Sequence, residues 1–262
     1  LKAKKSFGQH FLNREDIAES IASSLKINDN VEHPVLEVGP GKGMLTKYLL
    51  EKYPKLKVVE ADEDMVSYLQ KHYPQLENRI ISGDFLKVDL GAVFEGQEFS
   101  LIGNFPYNIS SQIVFHMIKF RACVPEMVGM FQKEMADRII AKPGGKDYGI
   151  ISVLAQAYYE GKMLINVDRT CFTPPPKVQS AVISLVRKEN QDLGCDEGLF
   201  RQVVKTSFNQ RRKMLRNTLK PLIPEGSSEL EDVFYQQRPE QLSLQQFIEI
   251  TKKLELLRKN EQ

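Results

Sequence analysis

The sequence predicts an α/β fold, a mostly parallel sheet with helices on both faces, followed by a small helical domain. Three observations carry this. Short apolar runs alternate with stretches of helical periodicity through the first two-thirds of the 262 residues, and strand–helix alternation builds a parallel sheet. A polar linker, Lys188–Gly198, then interrupts the pattern. Beyond it only helical periodicity returns. The length favours one to two domains, and the sequence divides them as 1–188 and 197–262.

Val35–Gly39 (VLEVG) is an apolar run ending in glycine, the pattern of a buried strand. Met44–Tyr53 is helical and stops at Pro54. Leu56–Glu60 (LKVVE) is a second strand, and Asp62–His72 a helix with acids in its first turn, where the dipole favours them. Arg79–Ser82 (RIIS) and Phe99–Gly103 (FSLIG) are the third and fourth strands. Ser110–Phe120 is a helix opened by serine. Met127–Gln132 is a fifth strand with a helix after it to about Ala141, and Tyr148–Tyr159 is helical. Met163–Val167 and Val178–Val186 are β-branched runs with no helix between them, which suggests an antiparallel edge. In the second domain 199–220 and 243–259 read as helices, joined by a segment that starts with a loop at 221–229.

Composition narrows the partners. The 42% hydrophobic content supplies a sizeable core, and a net charge of +2 excludes both an acidic tail protein and a histone-like one. Cys123, Cys171 and Cys195 lie far apart with no C-x-x-C spacing, against a disulfide framework or a zinc site and in favour of a reducing cytosol. His10, His33, His72 and His116 show no ligand spacing, so no metal is expected. No apolar run approaches the roughly 18 residues of a transmembrane helix, and the basic N-terminus leads into a polar, amphipathic stretch rather than a signal sequence. The charge is uneven. Residues 1–14 hold four bases and no acid, and 199–221 hold seven bases and no acid, while 51–100 and 222–250 are net acidic. Clustered bases are the footprint expected for a phosphate backbone; a solvated helix face gives the same run.

The motifs fall at strand ends. Gly39-Pro40-Gly41-Lys42-Gly43 follows the first strand and opens a helix, where glycines let backbone approach a ligand. Glu60 ends the second strand, an acid placed to accept both hydroxyls of a ribose. Together they fit any nucleoside cofactor. The spacing is G-x-G-x-G with Met44 next, which counts against a dinucleotide and an NAD-dependent oxidoreductase. Asp84, after the third strand, can accept an adenine amino group with Phe85 beside it; Asp after Gly is also an ordinary turn residue. Asn104-Phe105-Pro106-Tyr107 ends the fourth strand. An exocyclic amine is a poor nucleophile because its lone pair is delocalised. The Asn104 amide oxygen and the Phe105 carbonyl can accept its two protons and favour a pyramidal nitrogen. Pro106 stiffens the turn, and Tyr107 offers a face to a base taken out of its stack. Phe172-Thr173-Pro174-Pro175-Pro176-Lys177-Val178 is a stiff connection that can set Phe172 against the base's other face, or bury it in the core.

These motifs, GQHFL (Gly8–Leu12), VLEVGPGKG (Val35–Gly43), Glu60, Gly83-Asp84, GNFPYNIS (Gly103–Ser110), FTPPPKVQSAV (Phe172–Val182) and FNQRRKMLRNTL (Phe208–Leu219), closely resemble the ribosomal RNA adenine N6,N6-dimethyltransferases. The resemblance runs from about Lys5 to Leu257. It implies a class I S-adenosylmethionine-dependent methyltransferase fold, Rossmann-like with a mostly parallel seven-stranded sheet, and a helical C-terminal domain. It implies that S-adenosylmethionine lies against His10, Leu12, Gly39, Gly41, Glu60, Asp84, Phe85 and Asn104. Asn104, Pro106, Tyr107 and Phe172 would form the target-adenine site, and Lys4, Lys5, Arg211, Arg212, Lys213 and Arg216 would grip RNA. The implied activity is dimethylation of two adjacent adenosines in the 3′-terminal hairpin of 16S ribosomal RNA, as part of ribosome biogenesis. The enzyme would act as a cytoplasmic monomer on the immature small subunit. His10 stands where the family more often has asparagine, and Phe105 where it more often has leucine. Phe105 is expected to matter only through its carbonyl. A large-subunit methyltransferase of the resistance type and a non-catalytic RNA-binding assembly factor are the competing readings.

Overall fold

The computed structural model describes residues 2–26 and 30–260; residues 1, 261 and 262, at the outer limits of the two expected domains, lie outside them. In chain order the elements are β1 (Phe11–Leu12), α1 (Glu15–Ala22), β2 (Val35–Val38), α2 (Thr46–Lys52), β3 (Leu56–Glu60), α3 (Glu63–His72), β4 (Ile80–Ser82), α4 (Leu90–Val93), β5 (Ser100–Asn104), α5 (Ser110–Lys119), β6 (Glu126–Gln132), α6 (Lys133–Ile139), α7 (Ile150–Gln156), β7 (Tyr159–Val167), β8 (Phe172–Thr173), β9 (Ser180–Arg187), α8 (Glu197–Phe208), α9 (Leu215–Thr218) and α10 (Leu244–Lys259).

The expected α/β sheet is present, seven-stranded in the order β4-β3-β2-β5-β6-β9-β7. β4, β3, β2, β5 and β6 run parallel, and β9 pairs antiparallel with β6. Parallel strands are covered on both faces and read as unbroken apolar runs, and every residue of β2 is buried. The register aligns Val38 with Val59 and Asn104 with Met130. The strand ends that carry Gly39, Glu60, Asp84 and Asn104 thus share one edge, where open α/β sheets bind ligands. α3 shows why its helix starts there: the Asp62 side chain accepts from the Asp64 N–H at 3.1 Å, acids fill the first turn, and Lys71 and His72 the last.

The chain falls into two compact units, one up to Ala136 with Glu160–Arg187, the other Asp137–Tyr159 with Lys188 onward. The boundary differs from the expected one because residues 137–159 pack with the C-terminal helices. Tyr148 is buried, its hydroxyl donates to the Leu242 carbonyl at 2.7 Å, and its ring meets Phe208 edge-on. The long helix expected over 199–220 is also broken. α8 stops at Phe208, and α9 begins at Leu215. Between them Arg211 turns inward, bonding Glu240 at 3.2 Å, the Gly145 carbonyl at 3.1 Å and the Tyr148 carbonyl at 2.8 Å. Helix boundaries elsewhere shift by a few residues. The strand expected from Met163 starts at Tyr159, where the preceding helix was to end.

Candidate active site

A cavity of about 580 Å³ opens at the strand-end edge of the first unit. That volume suits a nucleoside-sized ligand. Leu12, Gly39, Gly41, Glu60, Asp84, Phe85, Asn104, Pro106 and Tyr107 all line it, as does His10. The structure brings together every expected cofactor residue and three of the four expected target-site residues.

The glycine turn is built for close approach. Gly41 has φ +57°, and a Cβ there would sit 3.1 Å from the Phe11 ring. Its N–H donates to Glu60 Oε2 at 3.0 Å, while the Asp62 N–H donates to Oε1 at 3.0 Å. Burial raises the Glu60 pKa, and these two backbone donors oppose the rise. Each carboxylate oxygen takes one backbone bond and keeps a lone pair for a ribose hydroxyl. Asp84 accepts the Leu86 N–H at 2.9 Å through Oδ1, leaving Oδ2 for an amino group, and the Phe85 ring is buried beside it. These residues fit S-adenosylmethionine.

Over the cavity runs the N-terminal segment. Lys4 reaches Asp62 at 2.7 Å and Asp64 at 2.6 Å, and Gln9 donates to the other Asp62 oxygen at 2.9 Å. Burial works to raise the Asp62 pKa, but Lys4 and Gln9 outweigh it and the net shift is downward. Lys4, expected at RNA phosphates, is spent on this strap. Lys5, Arg212 and Lys213 are exposed, Arg216 is half-buried, and Arg211 is held by Glu240.

At the end of β5 the Asn104 Nδ2 donates to the His10 carbonyl at 3.1 Å. Among the described residues no donor reaches Asn104 Oδ1 or the Phe105 carbonyl, so both acceptors remain for a substrate. Tyr107 is anchored by a 2.5 Å bond between its hydroxyl and Ser180 Oγ. Burial raises its pKa against the pull of that bond.

Phe172 is not in the cavity. It is 2% exposed, pairs with Leu12 across the β1–β8 ladder, and joins the core cluster with Ala18, Ile21 and Val182. Alternation along that ladder turns its side chain inward. The Phe105 side chain matters more than its carbonyl alone would suggest. Its ring is 1% exposed, lies over Gly103 and Gly129, and meets Phe131 edge-on at 5.2 Å. A Cβ on Gly129 would collide with the Phe105 ring and sit 2.9 Å from that of Phe131. Gly129→Ala is expected to destabilise the fold by about 1–3 kcal/mol, the range for overpacking. It should also lower activity in the molecules that stay folded, by moving the Phe105 carbonyl. Urea unfolding and assay of the folded fraction check this. Sequence reasoning also missed Glu37, a buried acid in the middle of β2 that lines the cavity and accepts from Thr46 Oγ1. The signal was present as a lone acid in VLEVG.

Comparison with known proteins agrees with this geometry. The family model described as ribosomal RNA adenine dimethylase matches residues 1–256. The chain is 54% identical over 256 residues to "Ribosomal RNA small subunit methyltransferase A" of Flavobacterium johnsoniae, covering 97% of each. It is 51% identical over 255 residues to the protein of the same name from Bacteroides thetaiotaomicron, covering 97% of this chain and 95% of that one. In fold it resembles a dimethyladenosine transferase from Plasmodium falciparum, with a TM-score of 0.79, 24% identity and coverage of 94% and 98%. It also resembles the 23S rRNA methyltransferase ErmE, with a TM-score of 0.64, 24% identity and coverage of 92% and 99%. The chain belongs to the ribosomal RNA adenine dimethylase family.

Proposed function

We propose that this protein uses S-adenosylmethionine to dimethylate N6 of two adjacent adenosines in the 3′-terminal hairpin of small-subunit ribosomal RNA, on the maturing subunit. The observation that carries the reading is the pair of unclaimed acceptors, Asn104 Oδ1 and the Phe105 carbonyl, on residues that line a nucleoside-sized cavity. The relatives named for the small subunit, at 54% and 51% identity, favour that substrate over the large subunit. Three free cysteines suit a reducing cytoplasm.

When bound, S-adenosylmethionine supplies an electrophilic methyl group. Glu60 would hold the ribose hydroxyls, Asp84 an adenine amino group, and Leu12, Gly39, Gly41 and Phe85 the surrounding walls. Asn104 and the Phe105 carbonyl would accept the two N6 protons of the target adenine and set its lone pair toward the methyl carbon. Pro106 holds that turn, and Tyr107 carries the flipped base on its ring. Positioning supplies the main catalytic effect, since the amine sheds its proton readily once alkylated. The exposed bases Lys5, Arg212 and Lys213, with the partly buried Arg216, would meet RNA phosphates and make binding salt-dependent. Transfer of labelled methyl groups to undermethylated small subunits, with mapping of the modified bases, tests the reading; absence of transfer overturns it. Glu60→Ala removes two charge-assisted acceptors, each worth about 1.5–3 kcal/mol. It is expected to weaken S-adenosylmethionine binding at least tenfold in calorimetric titration.

A further inference from the structure

We propose that Lys42 is a cofactor-binding residue, the cation that receives the carboxylate of the S-adenosylmethionine methionine tail. The inference rests on the cofactor placement given above and extends it to the tail. The sheet order β4-β3-β2-β5 sets Asp84, Glu60, Gly39 and Asn104 side by side along one edge. With adenine at Asp84, ribose at Glu60 and the methyl carbon facing Asn104, the sulfonium lies at the end of β2. The tail then runs along the glycine turn that carries Lys42. It holds the cofactor's one anionic group. Glu60 and Asp84 suit the cationic sulfonium and ammonium of the cofactor, but they repel its carboxylate. A carboxylate taken out of water needs a charge partner and donors.

Among the described residues, Lys42 and Lys47 are the lysines that line the cavity, and no arginine does. Lys47 is committed to Glu15. Lys42 is half-buried and, among the described residues, has no carboxylate paired to it. Its ammonium stands 4.9 Å from the centre of the Phe11 ring. An aromatic face holds an ammonium through the ring quadrupole, so N–H donors remain for a carboxylate. Phe11 lines the same cavity, and a Cβ at Gly41 would press on its ring at 3.1 Å. The ammonium is thus seated against the turn along which the tail runs. The backbone of that turn is fixed by other bonds. The Gly41 N–H donates to Glu60 at 3.0 Å, and the Tyr73 hydroxyl donates to the Lys42 and Gly43 carbonyls at 3.3 and 3.2 Å. A side-chain change at position 42 therefore leaves the ribose carboxylate in place and removes the charge alone.

Calorimetric titration of the full chain with two ligands tests this. One is S-adenosylmethionine. The other is its decarboxylated analogue, which keeps the adenosine, sulfonium and amine and lacks only the carboxylate. Lys42→Met keeps the stem and removes the charge, whereas Lys42→Arg keeps the charge. Lys42→Met is expected to bind S-adenosylmethionine about tenfold more weakly, the lower end for a charge-assisted hydrogen bond, and the analogue within about twofold of wild type. Lys42→Arg should stay within about threefold of wild type for both ligands, since it keeps a cation over Phe11. Added salt should weaken S-adenosylmethionine binding more steeply in wild type than in Lys42→Met. Unchanged S-adenosylmethionine affinity in Lys42→Met overturns the proposal; if KM for small subunits rises instead, the charge serves RNA phosphates. An equal loss for both ligands also overturns it, because Lys42 then shapes the turn rather than meeting the carboxylate. Glu60→Ala in the same titrations checks the placement beneath the proposal. If that variant binds both ligands as wild type does, the placement fails, and it does so independently of the Lys42 result.

Discussion

Asn104→Ala is expected to lose methyl transfer by about two to three orders of magnitude, the cost of deleting one preorganised dipole at a reacting centre, with S-adenosylmethionine affinity held to within a few-fold. Asn104 is fixed in position before any substrate binds. β5 is a central strand paired on both sides, and the Asn104↔Met130 register sets the Cα. The His10 carbonyl sets the amide plane by taking the Nδ2 donor. Oδ1 is therefore aimed before substrate arrives and needs no reorganisation in the transition state. Asn104→Asp is a useful companion. It keeps an acceptor, but it has no donor for the His10 carbonyl and sets a carboxylate against that oxygen, so it should also be strongly impaired. Single-turnover transfer of labelled methyl groups reads the chemical step, and calorimetry reads cofactor affinity. Transfer by Asn104→Ala within tenfold of wild type sinks the assignment.

The sheet edge was legible in the sequence because it is written in local signals. A buried parallel strand is an apolar run, and a polar or glycine residue at its end marks where backbone turns toward a ligand, so Gly39, Glu60, Asp84 and Asn104 could each be placed. Charge clusters were legible only as counts. Lys4 and Arg211 belong to basic runs, yet Lys4 is committed to Asp62 and Asp64 and Arg211 to Glu240 and two carbonyls. Those partners lie far along the chain, and no local pattern announces them. The placement of Phe172 was hidden for a similar reason. Its direction is decided by a two-residue ladder to Leu12, about 160 residues away, a pairing too short to leave any periodicity. The break after Phe208 is only weakly announced: Asn209 caps α8, but residues 210–214 are good helix formers. The strap over the cavity, built from side-chain bonds of Lys4, Gln9 and Asn108, was visible only as a basic N-terminus.

Glu37 is expected to make stability fall as pH rises through the neutral range. It is buried in β2, and burial pushes its pKa from the ordinary 4.5 up to about 8, with the Thr46 bond opposing and the neighbouring Glu60 reinforcing the rise. Below pH 4.5 the group is protonated in both folded and unfolded chains and favours neither. Between 4.5 and about 8 the folded protein holds a proton that the unfolded chain has released, so stability falls as pH rises, by about 1.4 kcal/mol per pH unit at most. Above 8 the loss levels off. Glu37→Gln copies the protonated acid in shape and still accepts from Thr46, but it cannot ionise. The variant should match wild type near pH 5 and exceed it at pH 8.5 by an amount on the order of a few kcal/mol. Urea midpoints across pH 5–9 for both proteins check this. Titrating groups not coupled to Glu37 are shared and cancel in the difference between the two curves. A difference that stays flat with pH means that Glu37 is charged in the folded protein. In that case a counter-charge or water must reach the middle of β2, beneath the glycine turn, to hold it there.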